Sequence, residues 1–192
     1  MAWGEIAHIM SCVGLFTIKL GKHVKISDKA SIYGADQMEI GDHSRVDDFC
    51  VLSGRILLSR NVHIAVFCNL AGGEAGIEID AFSGLAYGAT VFTQNDDYSG
   101  ETLLGPTIPE KYRQQTVKKP IIFERFCNVG THAVIVPGVT LREGTVVGAK
   151  SLVLRSTKPW TIYFGIPAKP LRKRSDRMLK LAEDYLKDTE NA

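Results

Sequence analysis

The sequence predicts an all-β solenoid, a stack of coils each made of three short strands, and three observations carry that prediction. From residue 123 a large apolar side chain stands at every sixth position: Phe123, Val129, Ile135, Leu141, Val147 and Val153. Val, Ile, Leu and Phe supply 55 of 192 residues, so six consecutive hits arise by chance on the order of once in two thousand starting frames. Four residues after each hit comes a mostly small one, namely Cys127, Ala133, Val139, Thr145, Ser151 and Thr157. The composition agrees: Val and Ile number 31 against 16 Leu, with 18 Gly, a balance suited to strands and tight turns.

The elements follow in order. Residues 1–19 form a lead-in whose apolar stretch at 9–18 is too short to span a membrane, and Glu5 stands where a signal peptide needs a basic flank. A soluble, cytoplasmic protein is expected. The six-residue period then catches Leu20, Ile26, Ile32; Ile40, Val46, Leu52; Leu58, Ile64, Leu70; and Ile79, Leu85, Val91 before the unbroken run. Three hexapeptides make one coil, so residues 20–157 are read as about six coils with an inserted loop at 94–120. Apolar residues fill a narrow interior, and small ones let the chain turn at the corners. The small-residue site fails at Asp36, Glu74 and Asn95, which are read as loops leaving the prism. Residues 158–192 form a crossing segment broken by Pro159, Pro167 and Pro170 and then a helix. Ser175 caps that helix, which runs to about Leu186 with Met178, Leu181, Ala182 and Tyr185 on one face. It is expected to cover the open strand edges of the last coil.

Charge and cysteine usage narrow the function classes. Cys12, Cys50, Cys68 and Cys127 show no CxxC pairing, which argues against a disulfide framework or a zinc ribbon and for reduced, packed thiols. The net charge of +2 conceals a basic end: residues 150–180 carry +8 and the remainder −6. That end is suited to an anionic partner.

The stretch NVGTHAVIVPGVTLREGTVVGAKSLVL at 128–154, followed by GIPAKPLRKR at 165–174, resembles the hexapeptide-repeat acyltransferases of the galactoside and sugar O-acetyltransferase type. The resemblance implies a left-handed parallel β-helix, with a long protruding loop and a C-terminal helix. It also implies a homotrimer with active sites between neighbouring subunits, and acetyl-CoA as donor. The positions matching the donor groove are Gly130, Thr131, Gly148, Ala149 and Lys150, with Arg155, Lys169, Arg172, Lys173 and Arg174 meeting the phosphates. In that family the long loop carries a histidine that acts as general base. Here the position falls on Gln94 or Asn95, and no histidine occurs between 64 and 131. Asp96 and Asp97 are the nearest carboxylates, as base or to orient the acceptor, with Asn95 and Tyr98 beside them on the acceptor. His63 is the second candidate base, because the equivalent strand lines the family's acceptor pocket. His132 occupies a place where relatives carry a histidine that is not the base. His23 and His43 stand one coil apart, but the histidine spacing matches no clear triad of the kind a zinc hydratase of this fold requires. No metal is expected.

The expectation is therefore an acetyltransferase that moves an acetyl group from acetyl-CoA to a sugar hydroxyl in surface polysaccharide biosynthesis, lipopolysaccharide or capsule. Transfer is direct, within a ternary complex, since the loop holds no cysteine to carry the acyl group. N-acetylation of a nucleotide-linked amino sugar is the alternative, because a neutral amine needs less help from a base than a hydroxyl does. A further alternative is a β-helix scaffold without catalysis. Neither a nucleic acid partner nor a membrane span is expected.

Overall fold

In the computed structural model, which describes residues 17–114 and 116–190, the chain winds into a three-faced parallel β-solenoid. The part of the lead-in that holds His8 and Cys12 lies outside the described residues.

The first face carries seven rungs, Lys25–Ile26, Arg45–Val46, His63–Ile64, Gly84–Leu85, Asn128–Val129, Val146–Val147 and Thr161–Phe164, each parallel to the next. The second stacks Ile32, Leu52, Leu70, Val91, Ile135 and Val153 in register, and the third stacks Leu20, Ile40, Leu58, Ile79, Phe123 and Leu141. The columns are the residues of the six-residue period, joined on the first face by Tyr163, and all are buried except Leu20. The two six-rung faces agree with the six coils expected. The seventh rung on the first face comes from the proline-marked segment after the repeat stops, where Val146 and Val147 pair with Ile162 and Tyr163. Lys169–Lys173 then folds back antiparallel on that last rung and covers its edge.

Small residues do at the corners what the pattern requires. Ser44, Cys50, Cys68, Ser83, Ala89, Cys127, Ala133, Thr145 and Ser151 are all buried. The polar ones are satisfied by neighbouring coils: Ser44 Oγ donates to the Ser59 carbonyl at 2.8 Å and accepts from the Val62 N–H at 3.0 Å. Each turn into the first face places one residue in the left-handed region, at His23, His43, Asn61, Phe82, Phe126, Gly144 and Trp160. That conformation costs a non-glycine residue about 1–2 kcal/mol, and ring stacking along the column offsets part of it. His23 stacks on His43 with centroids 4.9 Å apart, and Phe82 on Phe126 at 5.3 Å. Gly144 is the gap in the ladder. A Cβ there would lie 2.4 Å from the Trp160 ring, which occupies the space.

Two of the three expected loops are tighter than the pattern suggested. At Asp36 the chain makes a single 3-10 turn, Ala35–Gln37. At Glu74 it stays inside the long strand Asn69–Ile79, whose irregular register against Val51–Leu58 absorbs the extra residues around Gly54 and Gly73. Only near Asn95 does the chain depart from the prism, on an antiparallel pair of Gln94–Asn95 with Val117–Lys118, beyond which the described residues 96–114 form an arm.

The helix forms as expected, Met178–Glu190, with the Arg177 N–H on Ser175 Oγ at 3.3 Å. Its place is different. Rather than closing the last coil, it lies back against the middle of the prism, where Tyr185 Oη accepts from Asn61 Nδ2 at 3.0 Å and the Tyr185 ring meets Phe82 edge-on at 6.0 Å. The hairpin at 161–173 covers the edge, so the helix face is free to pack where the corner aromatics offer apolar surface.

Candidate active site

Between that helix and the first face lies a cavity of about 760 Å³, within the range that holds small-molecule ligands. Its floor is the outward row His63, Gly84 and Asn128, which are register partners on three successive rungs. Gly84 contributes no side chain, so the floor has a notch between an imidazole and a carboxamide. Phe82 and Phe126 wall the corner side, and Met178, Leu181, Ala182 and Tyr185 close the top.

His63 does not stand alone in this floor. Its Nε2 lies 2.9 Å from Asp47 Oδ2, and Arg45 Nε donates to the other oxygen of the same carboxylate. Asp47 is 6% exposed. A buried carboxylate held by a guanidinium and an imidazole is fixed in place, and it fixes the ring in turn. A neutral His63 that donates from Nε2 keeps its lone pair on Nδ1. Sequence reasoning singled out His63 but missed Asp47 and Arg45. The signal was available in the repeat: Arg45 and His63 are 18 residues apart, one whole coil, and the ladder makes them direct neighbours.

The arm holds the other candidates. Asp97 accepts from the Ser99 N–H at 3.0 Å and from Ser99 Oγ at 2.6 Å, a local turn that holds its carboxyl below the usual carboxylate range. Such a carboxylate is a weakened base. Asp96 accepts from the Gly105 N–H through Oδ2 at 3.0 Å, leaving Oδ1 uncommitted among the described residues. Tyr98 is 76% exposed, and its hydroxyl donates to Asn95 Oδ1 at 2.9 Å. The arm is braced at its base by Thr93 Oγ1 on the Gly72 carbonyl at 2.6 Å and by an ion pair of Lys118 with Glu74 at 3.1 Å. None of these arm residues lines the cavity. Within one chain, His63 and the aspartates belong to separate places.

The expected donor residues lie on the last coils. Gly130 and Gly148 are glycine for a reason internal to the stack: a Cβ on Gly130 would lie 2.6 Å from the Ala149 nitrogen, and one on Gly148 would lie 2.2 Å from the Phe164 ring. Lys150 donates its N–H to the Thr131 carbonyl at 2.8 Å and exposes its side chain. Arg155, Lys169, Arg172 and Lys173 are exposed. Arg174 is not equivalent to them. Its guanidinium donates to the carbonyls of Phe126 at 2.6 Å and Gly144 at 3.0 Å and faces the Trp160 ring at 6.0 Å, and burial lowers its pKa. It fastens the hairpin to the corner column. The His132 ring lies over Gly88, where a Cβ would meet it at 2.4 Å. Among the described residues no group of three or more His, Cys, Asp or Glu side chains is arranged to hold a metal ion, and no helix is long and apolar enough to cross a membrane.

Comparison with known proteins adds acceptors and donors. No family model matches the chain. An Escherichia coli dTDP-4-amino-4,6-dideoxy-D-glucose acyltransferase is 34% identical over 165 residues, which cover 84% of this chain and 85% of that enzyme. The crystal structure of AntD, an N-acyltransferase from Bacillus cereus in complex with dTDP and 3-hydroxybutyryl-CoA, superposes with a TM-score of 0.88 at 38% identity, over 91% of this chain and 92% of AntD. The galactoside O-acetyltransferase of Escherichia coli K12 is 39% identical over 49 residues, 26% of this chain and 24% of that enzyme.

Proposed function

The chain belongs to the hexapeptide-repeat sugar acyltransferases, and on that premise we propose that it N-acylates a dTDP-linked amino sugar with acyl-CoA as donor. The observation that carries this reading is the extent of the likeness. The amino-sugar acyltransferase matches over 84% of the chain, whereas the likeness to the galactoside O-acetyltransferase is confined to 49 residues. The amine therefore replaces the hydroxyl as the favoured acceptor. The arm supports the change: it lacks the histidine that hydroxyl transfer relies on and offers a carboxylate in its place.

Transfer is direct. The neutral amine's lone pair attacks the thioester carbonyl carbon, the C–S bond breaks as the tetrahedral intermediate collapses, and the nitrogen gives up its proton as CoA leaves and is protonated as the thiol. Asp96 is assigned as the group that takes the proton, since its Oδ1 is uncommitted while Asp97 is engaged with Ser99. The exposed cations Arg155, Lys169, Arg172 and Lys173 are assigned to the CoA phosphates, and Arg174 is left to hold the hairpin. Because the arm projects from the prism, its aspartates serve a site shared with a neighbouring copy in a homotrimer. The product is a precursor for surface polysaccharide, made in the cytoplasm where acyl-CoA is available.

The test is thiol release. With acetyl-CoA or 3-hydroxybutyryl-CoA, dTDP-4-amino-4,6-dideoxyglucose is expected to give thiol, and a simple galactoside none. Thiol release with the galactoside and none with the amino sugar would overturn the reading.

A further inference from the structure

We infer that Thr93 is a positioning residue for the transfer step, its buried hydroxyl fixing the direction in which the arm leaves the prism and with it the place of Asp96; this rests on the role assigned to Asp96 above. Both strands of the arm's root are tied to the solenoid at Thr93. Its N–H donates to the Ala71 carbonyl at 3.0 Å and its own carbonyl accepts from the Lys119 N–H at 2.9 Å, so the outgoing and returning chains meet on one residue. The side chain adds a third anchor. Its hydroxyl donates to the Gly72 carbonyl at 2.6 Å, with the Ala71 carbonyl also in reach at 3.2 Å, and Thr93 is 1% exposed. Gly72 has no room to shift toward the preceding coil: a Cβ there would lie 2.1 Å from the Arg55 carbonyl oxygen, so the two backbones run in close contact where the anchor is set.

The other supports of the arm are weaker. Its root is two residue pairs, Gln94 with Lys118 and Asn95 with Val117, and a two-stranded ribbon is marginal by itself. The ion pair of Lys118 with Glu74 has the Glu74 side chain 84% exposed, where such a pair contributes little. A hydroxyl bonded to a carbonyl out of reach of water has no such substitute. From the root the path to Asp96 is short. Asn95 accepts from the Tyr98 hydroxyl and donates from Nδ2 to the Asp96 carbonyl at 3.2 Å, and the Asp96 carboxylate accepts from the Gly105 N–H. Those bonds fix Asp96 within the arm, and Thr93 fixes the arm on the prism. A displacement of about 1 Å at a reacting group costs up to about a hundredfold in rate, which makes the anchor visible in kcat.

Thiol release from acetyl-CoA with dTDP-4-amino-4,6-dideoxyglucose, measured on the full chain, is the test. Thr93→Val keeps the branched shape that a strand favours and removes the hydroxyl. It is expected to lower kcat about tenfold or more, with KM for acetyl-CoA changed less than about twofold. Thr93→Ser, which keeps the hydroxyl, is expected to stay within about threefold of the unmodified protein. In an Asp96→Asn background Thr93→Val is expected to cost less than about twofold, because residues that act as a unit are not additive. An equal loss in both backgrounds would be a general structural effect and would overturn the role of Thr93. So would an unchanged kcat in Thr93→Val or, should that variant not fold, a loss of about tenfold in Thr93→Ser. Absence of thiol release by the unmodified protein with the amino sugar would overturn the acceptor reading, and the role of Thr93 with it.

Discussion

Asp96 and Asp97 are adjacent in sequence and unequal in chemistry. Ser99 engages both oxygens of Asp97 and lowers its pKa, whereas Asp96 spends one oxygen on the Gly105 N–H. Asp96→Asn is therefore expected to lower kcat/KM by about a hundredfold, the low end of what a general base contributes, and to recover part of the loss at higher pH, where the amine is already neutral. Asp97→Asn is expected to change it by less than about threefold, the loss being confined to a turn. Steady-state kinetics from pH 6 to 9 with the amino sugar separate the two. Asp47 belongs to a different class of residue. It is buried between Arg45 and His63, so Asp47→Ala removes this contact from two side chains that stand half in water and is expected to destabilise the chain by about 0.5–1.5 kcal/mol, measurable as a lowered urea midpoint. Asp47 and Arg45 drew no notice in the sequence because neither sits in a motif. Their importance comes from a rung neighbour 18 residues on, and a repeat read only for its apolar column does not follow its outward row.

At the scale of elements, the corner column shows what a repeat tolerates. Its turns place His, Asn, Phe and Trp at positive φ, from 48° at Trp160 to 63° at Phe126, so a side chain is admissible there, with ring stacking added where rings adjoin, as at His23 and His43 and at Phe82 and Phe126. Gly144 differs because the Trp160 ring already occupies the Cβ position. Gly144→Ala is expected to cost about 2 kcal/mol, from the left-handed conformation together with displacement of the indole, and a thermal melt of the variant against the unmodified protein reads it. The helix teaches the complementary lesson. Its apolar face, Met178, Leu181, Ala182 and Tyr185, was legible from spacing, but spacing says nothing of which surface that face meets. Asn61 and Phe82, more than a hundred residues upstream, settled it.

For the whole molecule, the homotrimer proposed above has a direct readout in light scattering, expected at three times the 21.1 kDa chain mass. The rings of Phe49, Phe67 and Tyr87 are exposed, and the first two stack at 5.2 Å; this is apolar surface that the proposed neighbour would cover. Acid stability follows from the ion pairs. Ser27 and then Lys29 hold the Asp48 carboxyl low. Burial would raise Glu124, but Arg142 and the Glu143 N–H outweigh it and hold that carboxyl low as well. A carboxyl whose folded pKa is depressed contributes stability above its unfolded pKa and loses it as the pH falls through the folded one. The urea midpoint is therefore expected to be level from pH 7 to about 5 and to fall below about pH 4, by a small amount per group because both carboxylates are largely solvated.

The amino-acid sequence by itself determined the solenoid, its inward residues and the place where the arm departs. A side chain every sixth residue meets the same narrow interior in every coil, and that steric condition repeats locally enough to be counted along the chain. It also determined the family, through the motif at 128–174. What only the tertiary structure decided is where outward chemistry converges. Arg45, Asp47 and His63 meet because coils stack, Gly84 becomes a notch because its neighbours above and below are not glycine, and Arg174 becomes a staple because two carbonyls lie within its reach. Outward side chains face no common interior, so no period marks them. Their partners come from the stack and the returning helix, which bring together residues far apart in the chain.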